Sequence, residues 1–219
     1  MTHLPDGTFQ LRTSLVSVAF PRSLASIGDG AFYRCTSLVS VDLPASLTSI
    51  RPHAFRGCSS LAHVAFPAGL TSIGDNAYNG CTSLASVTFP AGLTSIGVYA
   101  FCACPSMTRV TVPTTLTSIG HGAFRDCPLT RVTVPDTATV GYAAFPPATT
   151  VLRLPPKRMR DLQRWYEAVA GALAYKRCRP GLVLWLERAN IRLGSYGPGG
   201  AARQRDLEEF EGDFAPLVE

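Results

Sequence analysis

Cysteine, histidine and aspartate are the side chains of this sequence that could do chemistry, and their spacing decides what kind. Seven cysteines are enough for a disulfide framework or a zinc site. Five of them, Cys35, Cys58, Cys81, Cys104 and Cys127, fall 23 residues apart. An odd total on one regular step does not read as the paired bridges of a secreted scaffold. It reads as a column of small, weakly polar, buried free thiols. Cys102-Ala-Cys104 is a Cys-x-Cys pair, but neither a second pair nor a nearby histidine completes a metal site. His3, His53, His63 and His121 take different positions in the repeat, so each is expected at the surface without a partner carboxylate. Through residue 152 there is no lysine and no glutamate, only eight arginines and six aspartates. Acid–base chemistry needs convergent carboxylates in a pocket. Asp29 and Asp75 share a column two units apart, and Asp42 and Asp126 lie in others, so turn roles are expected. No catalytic residue, metal or cofactor is expected.

The elements that hold these residues follow from the same period. Pro21, Pro44, Pro67, Pro90 and Pro113 keep the 23-residue step, as do Ile27, Ile50, Ile73, Ile96 and Ile119. Leu24, Leu47, Leu70, Leu93 and Leu116 add another column. An aromatic column runs Phe9, Phe32, Phe55, Tyr78, Phe101, Phe124, with Phe145 following after 21 residues. Within a unit, Leu38-Val-Ser-Val-Asp-Leu-Pro44 reads as a short strand stopped by proline. Leu38, Val41 and Leu43 point inward, and Ser40 and Asp42 outward. Strand segments are expected near 15–20, 38–43, 61–66, 84–89, 107–112, 129–134 and 150–154. Gly28, Gly74, Gly97 and Gly120 are expected to serve tight turns. One unit buries almost nothing alone, but stacked units set like residues over like in apolar ladders.

The unit Leu-Thr-Ser-Ile-Gly-x-x-Ala-Phe-x-x-Cys-x-Ser-Leu resembles the BspA-type (Treponema pallidum-type) leucine-rich repeat over about residues 4–155. The resemblance implies a curved solenoid that mediates protein contact or adhesion. The fold class expected is an α/β repeat, a leucine-rich repeat solenoid of about seven 23-residue units with a C-terminal α-helical cap. Arg12 departs from the cysteine column, the units near 128–155 shorten, and Pro146-Pro147 replaces the end of the last turn. Degenerate end units are how an array stops.

The outward positions of the strands make a surface. One column runs Ser17, Ser40, His63, Ser86, Arg109, Arg131, and its neighbour Ala19, Asp42, Ala65, Thr88, Thr111, Thr133. This face is small and polar and turns basic toward its C-terminal end. Small side chains let a partner's backbone approach, while Arg109 and Arg131 suit a carboxylate or phosphate held in bidentate fashion. The candidate partner face is therefore Ser40, Asp42, His63, Ser86, Thr88, Arg109, Thr111, Arg131 and Thr133, and the expected partner is a protein. A second row, Ser26, Ser49, Ser72, Ser95 and Ser118 with Thr139, is expected to satisfy its hydroxyls within the structure.

Composition shifts after Leu152: residues 153–219 carry 21 of the 35 charged side chains. The expected division is a solenoid over 1–155 and a helical cap over 156–219, the latter with a Gly-rich linker and an acidic tail. Met159, Leu162, Trp165, Tyr166, Val169 and Leu173 fall at helical spacing, and Leu182, Trp185, Leu186, Ala189 and Leu193 repeat the pattern. Lys157, Arg160 and Arg164 share one helical face, which gives RNA or an anionic surface as a rival partner. No nucleic-acid fold accompanies the stripe, and six acids after Arg205 can neutralise it. Gly194–Gly200 lacks the Gly-Lys-Ser/Thr ending of a phosphate loop and reads as a linker. The longest smooth apolar stretch, Ala168 to Tyr175, is too short to span a bilayer. The N-terminus has no readable secretory signal, so an intracellular monomer is expected, with a surface adhesin as the alternative.

Overall fold

In the computed structural model, which describes residues 2–161, each repeat is one coil of a ladder of parallel strands. The chain divides into two units at 161/162, and the account below is of the first. Two rows of strands run along it. The longer row is a continuous seven-stranded sheet built from two-residue strands, β1 (His3–Leu4), β2 (Ser26–Ile27), β4 (Ser49–Ile50), β6 (Ser72–Ile73), β8 (Ser95–Ile96), β10 (Ser118–Ile119) and β12 (Thr139–Val140). The second row comprises β3 (Ser40–Asp42), β5 (His63–Ala65), β7 (Ser86–Thr88), β9 (Arg109–Thr111), β11 (Arg131–Pro135) and β13 (Thr150–Leu154). It pairs in twos, β3 with β5, β7 with β9 and β11 with β13, all parallel. Register puts Ser26 on Ser49 and Ile27 on Ile50, so the 23-residue step of the sequence is the step of the ladder.

Two expectations change here. Residues 15–20 form no strand; one coil-to-coil bond, Val39 N–H to the Val16 carbonyl at 3.1 Å, holds them. That segment lies in an end coil with a neighbour on one side alone. The repeats also contain no helix among the described residues; helix starts only at 156–161. The rest of the expected helical cap, from residue 162 on, lies outside the described residues and takes Arg164 of the basic stripe with it, whereas Lys157 and Arg160 fall on the helix at 156–161.

Side chains stack as the columns require. Phe9, Phe32, Phe55, Tyr78, Phe101, Phe124 and Phe145 make one run of stacked rings with centroids 5.0–5.4 Å apart. Leu24, Leu47, Leu70, Leu93 and Leu116 and the isoleucines of the continuous sheet are likewise buried. Each column thiol donates to the carbonyl of an aromatic residue one coil back. Cys35 reaches Phe9 at 3.0 Å, Cys58 reaches Phe32 at 3.1 Å and Cys127 reaches Phe101 at 3.1 Å. Cysteine suits this column because it is small, packs as an apolar group and still satisfies a buried acceptor.

Tyr78 is the one member of the ring stack with a hydroxyl, and among the described residues that hydroxyl has no partner although it is fully buried. Burial pushes its phenol well above the ordinary tyrosine value. An unsatisfied buried hydroxyl costs free energy that a phenyl ring avoids. Tyr78→Phe is therefore expected to stabilise the solenoid by about 1–2 kcal/mol in a urea melt. A loss of stability would show that the hydroxyl is engaged.

Six coils turn at two left-handed residues four positions apart, such as Gly30 with Arg34, Asn76 with Gly80 and Gly122 with Asp126. Gly28, Gly74, Gly97 and Gly120 are not among these, which corrects the turn role expected for them. Their function is close approach: a Cβ on Gly74 would lie 2.5 Å from the Pro52 nitrogen, and one on Gly120 2.5 Å from the Gly97 carbonyl carbon. Glycine there lets one coil settle onto the backbone of the coil before it.

Candidate functional site

The second strand row presents its alternate residues outward because a three-residue strand has one inward position. Val41, Val64, Val87 and Val110 fill that position and are buried, leaving the residues on either side exposed. Ser40 lies beside His63 and Asp42 beside Ala65; Ser86 lies beside Arg109 and Thr88 beside Thr111. Arg131 and Thr133 pair with Thr150 and Leu152 at the last coil, where Thr133 is half-buried and Arg131 exposed. The nine candidate residues thus share one side of the solenoid. Neither the Arg109 nor the Arg131 side chain has a hydrogen bond or ion pair with any described residue, which leaves both guanidinium forks open to a ligand.

Two residues that the sequence reading left out enlarge this face. Val16 and Val39, one position before Ser17 and Ser40, are 57% and 48% exposed. The flank that is apolar at these N-terminal coils becomes Ala62 and Ala85, then Thr108 and Thr130. Their signal was in the sequence, as valine in a column that is alanine or threonine elsewhere. The face therefore grades from exposed valines to exposed arginines.

The opposite sheet behaves differently from expectation. Thr48, Thr71, Thr94 and Thr117 each give their hydroxyl to a carbonyl one coil back, at 2.9–3.1 Å. The neighbouring serines do not follow them. Ser26 meets His3 Nδ1 at 2.6 Å, but Ser49, Ser72, Ser95 and Ser118 have no side-chain partner among the described residues. They line a shallow groove of about 520 Å³ floored by the glycine column. The expected internal satisfaction belongs to the threonine row, since a hydroxyl one residue earlier reaches the previous carbonyl and the serine row points to solvent.

The histidines also find partners that the column reading did not give them. His53 Nδ1 lies 3.3 Å from the Asp29 carboxylate, and His121 Nε2 lies 2.7 Å from the Tyr99 hydroxyl. Both contacts run diagonally between adjacent coils, one column apart, which a search along single columns misses. His121 also stacks on Tyr142 at 5.7 Å and 11°. No group of three or more metal-ligating side chains occurs among the described residues.

Stacked parallel strands, a ring column and a glycine column on one period define a leucine-rich repeat solenoid with an extended lateral face. The chain belongs to the BspA-type leucine-rich repeat family, whose repeat region matches residues 2–130 in six copies. It is similar to a T. pallidum leucine-rich repeat protein, with 30% identity over 75% of this chain and 76% of that one and a TM-score of 0.57. A leucine-rich cell surface protein from Faecalibacterium prausnitzii is 32% identical over 69% of this chain, with a TM-score of 0.64. A Bacteroides ovatus leucine-rich repeat protein is 26% identical over 68%, with a TM-score of 0.58. The matched part spans 42% of the length of each of the last two proteins. Among curated proteins, none matches the chain.

Proposed function

We propose that this chain is a non-enzymatic protein-interaction module that binds its partner along the second strand row. The observation that carries the reading is the pair of exposed, uncommitted arginines, Arg109 and Arg131, on a face whose other outward residues are mostly small. The partner is a protein segment with an apolar part for Val16 and Val39 and an acidic part for the two guanidinium groups. Extended faces of this kind are what solenoids use for such contacts. In this reading the chain works as a monomer with no cofactor.

Adhesion at a cell surface is the second reading, and the description of the F. prausnitzii protein as a leucine-rich cell surface protein favours it over the cytoplasmic location expected from the N-terminus. Among the described residues, no helix is long and apolar enough to cross a membrane. Binding through the same face serves either location.

Charge reversal tests the proposal. Arg109→Glu together with Arg131→Glu is expected to weaken partner binding about tenfold or more. The thermal midpoint should stay unchanged, since both side chains are exposed. Undiminished binding by the folded double variant would remove the two arginines from the site.

A further inference from the structure

Tyr142 is 85% exposed, far more than any other large apolar side chain among the described residues, and it is not a loose one. One face of its ring rests on His121, whose Nε2 is 2.7 Å from the Tyr99 hydroxyl; the Tyr99 ring in turn meets His121 edge-on at 5.0 Å. Tyr99 lies so close over Gly122 that a Cβ there would come within 2.3 Å of the ring. Three consecutive coils therefore hold an aromatic platform whose outermost ring is left to solvent. Beside it lies a cavity of about 640 Å³ lined by Tyr142, Arg125, Asp126 and the prolines Pro105, Pro128 and Pro146. Arg125 Nε sits 3.8 Å from Asp126 Oδ2, and both side chains are more than half exposed. The Cys102 thiol also points to that carboxylate, at a long 4.0 Å.

We propose that this cavity binds a saccharide. The apolar face of a pyranose ring stacks on Tyr142, while Arg125 donates to and Asp126 accepts from neighbouring ring hydroxyls. The ligand class follows from the donor and acceptor offered together. A vicinal diol uses both, because each hydroxyl donates and accepts. An extended proline-rich peptide also suits a ring and prolines, but its backbone offers carbonyl acceptors and leaves the aspartate unmatched. The cavity has the volume of a small-ligand site and a mostly apolar wall with few polar groups. Neither Arg109 nor Arg131 lines this cavity, and the site does not depend on the protein-binding proposal.

The test is a glycan microarray covering neutral hexose, N-acetylhexosamine, uronic and sialic acid termini. It is probed with the native chain, Tyr142→Ala, Asp126→Asn and, as a control at a half-buried tyrosine outside the cavity, Tyr33→Ala. The native chain and Tyr33→Ala are expected to bind a shared set of glycans. Tyr142→Ala and Asp126→Asn should each bind that set about tenfold more weakly. Circular dichroism confirms that each variant is folded. No binding by the native chain, or equal binding by native and Tyr142→Ala, would overturn the proposal. So would Tyr142-dependent capture of a polyproline peptide with no glycan bound.

Discussion

Phe55→Ala should cost about 3–5 kcal/mol of unfolding free energy in a urea melt, enough to unfold much of a marginally stable array. Phe55 is fully buried, with Phe32 stacked at 5.0 Å on one side and Tyr78 at 5.1 Å on the other. Removing it leaves a cavity between two rings whose own positions are fixed by the next rings along. The gap cannot close without breaking the register of the coils on both sides, because Cys81 also bonds the Phe55 carbonyl at 3.3 Å. The loss is therefore expected near the upper end of the range for large-to-small core changes. A cost below about 1 kcal/mol would mean that the ring column does not carry the stack.

High pH is the second large effect. Burial pushes the Cys58 thiol up to about 12 from an ordinary 9.0, and burial raises Cys35 and Cys81 in the same direction. The folded chain thus keeps protons that the unfolded chain releases. Stability from these thiols is complete below pH 9, and it is lost as pH climbs from there toward the folded values. Cys58 removes about 1.4 kcal/mol for each pH unit in that window. At pH 10, Cys58 should cost about 1.4 kcal/mol relative to pH 8, and Cys81 adds to the loss in the same direction. Urea midpoints at the two pH values measure it, and Cys58→Ala should show a smaller drop than the native chain. A midpoint that does not move between pH 8 and pH 10 would contradict the buried-thiol account.

The period, the buried columns and the outward strand residues were legible in the sequence because they rest on spacing and on alternation about a central valine. What a coil does to its neighbour was not. The Ser-Ile dipeptides carry the continuous sheet, yet two residues are too short to announce a strand beside the valine-rich run on the other side. The glycine column was legible as a need for glycine but not for its reason, since a clash 2.5 Å away belongs to the preceding coil. His53 with Asp29 and His121 with Tyr99 are diagonal contacts, and columns read straight down hide them. Of the candidate face, Arg109 and Arg131 could be named in advance, whereas the exposure of Val16 and Val39 depends on which side of the coil the flank faces.

The central claim is that one named face binds the partner, and net charge is its main competitor as an explanation. The direct measurement is affinity capture with three baits: the native chain, Arg109→Glu with Arg131→Glu, and Arg34→Glu with Arg56→Glu. Each double reversal lowers the net charge by four, from +5 to +1. Arg34 and Arg56 lie away from the strand face, beside the Tyr33 ring on the turn edge. The partner should be held by the native chain and by the Arg34/Arg56 pair, and lost from the Arg109/Arg131 pair. Equal retention by all three, or equal loss from both reversed pairs, would contradict a binding site on that face.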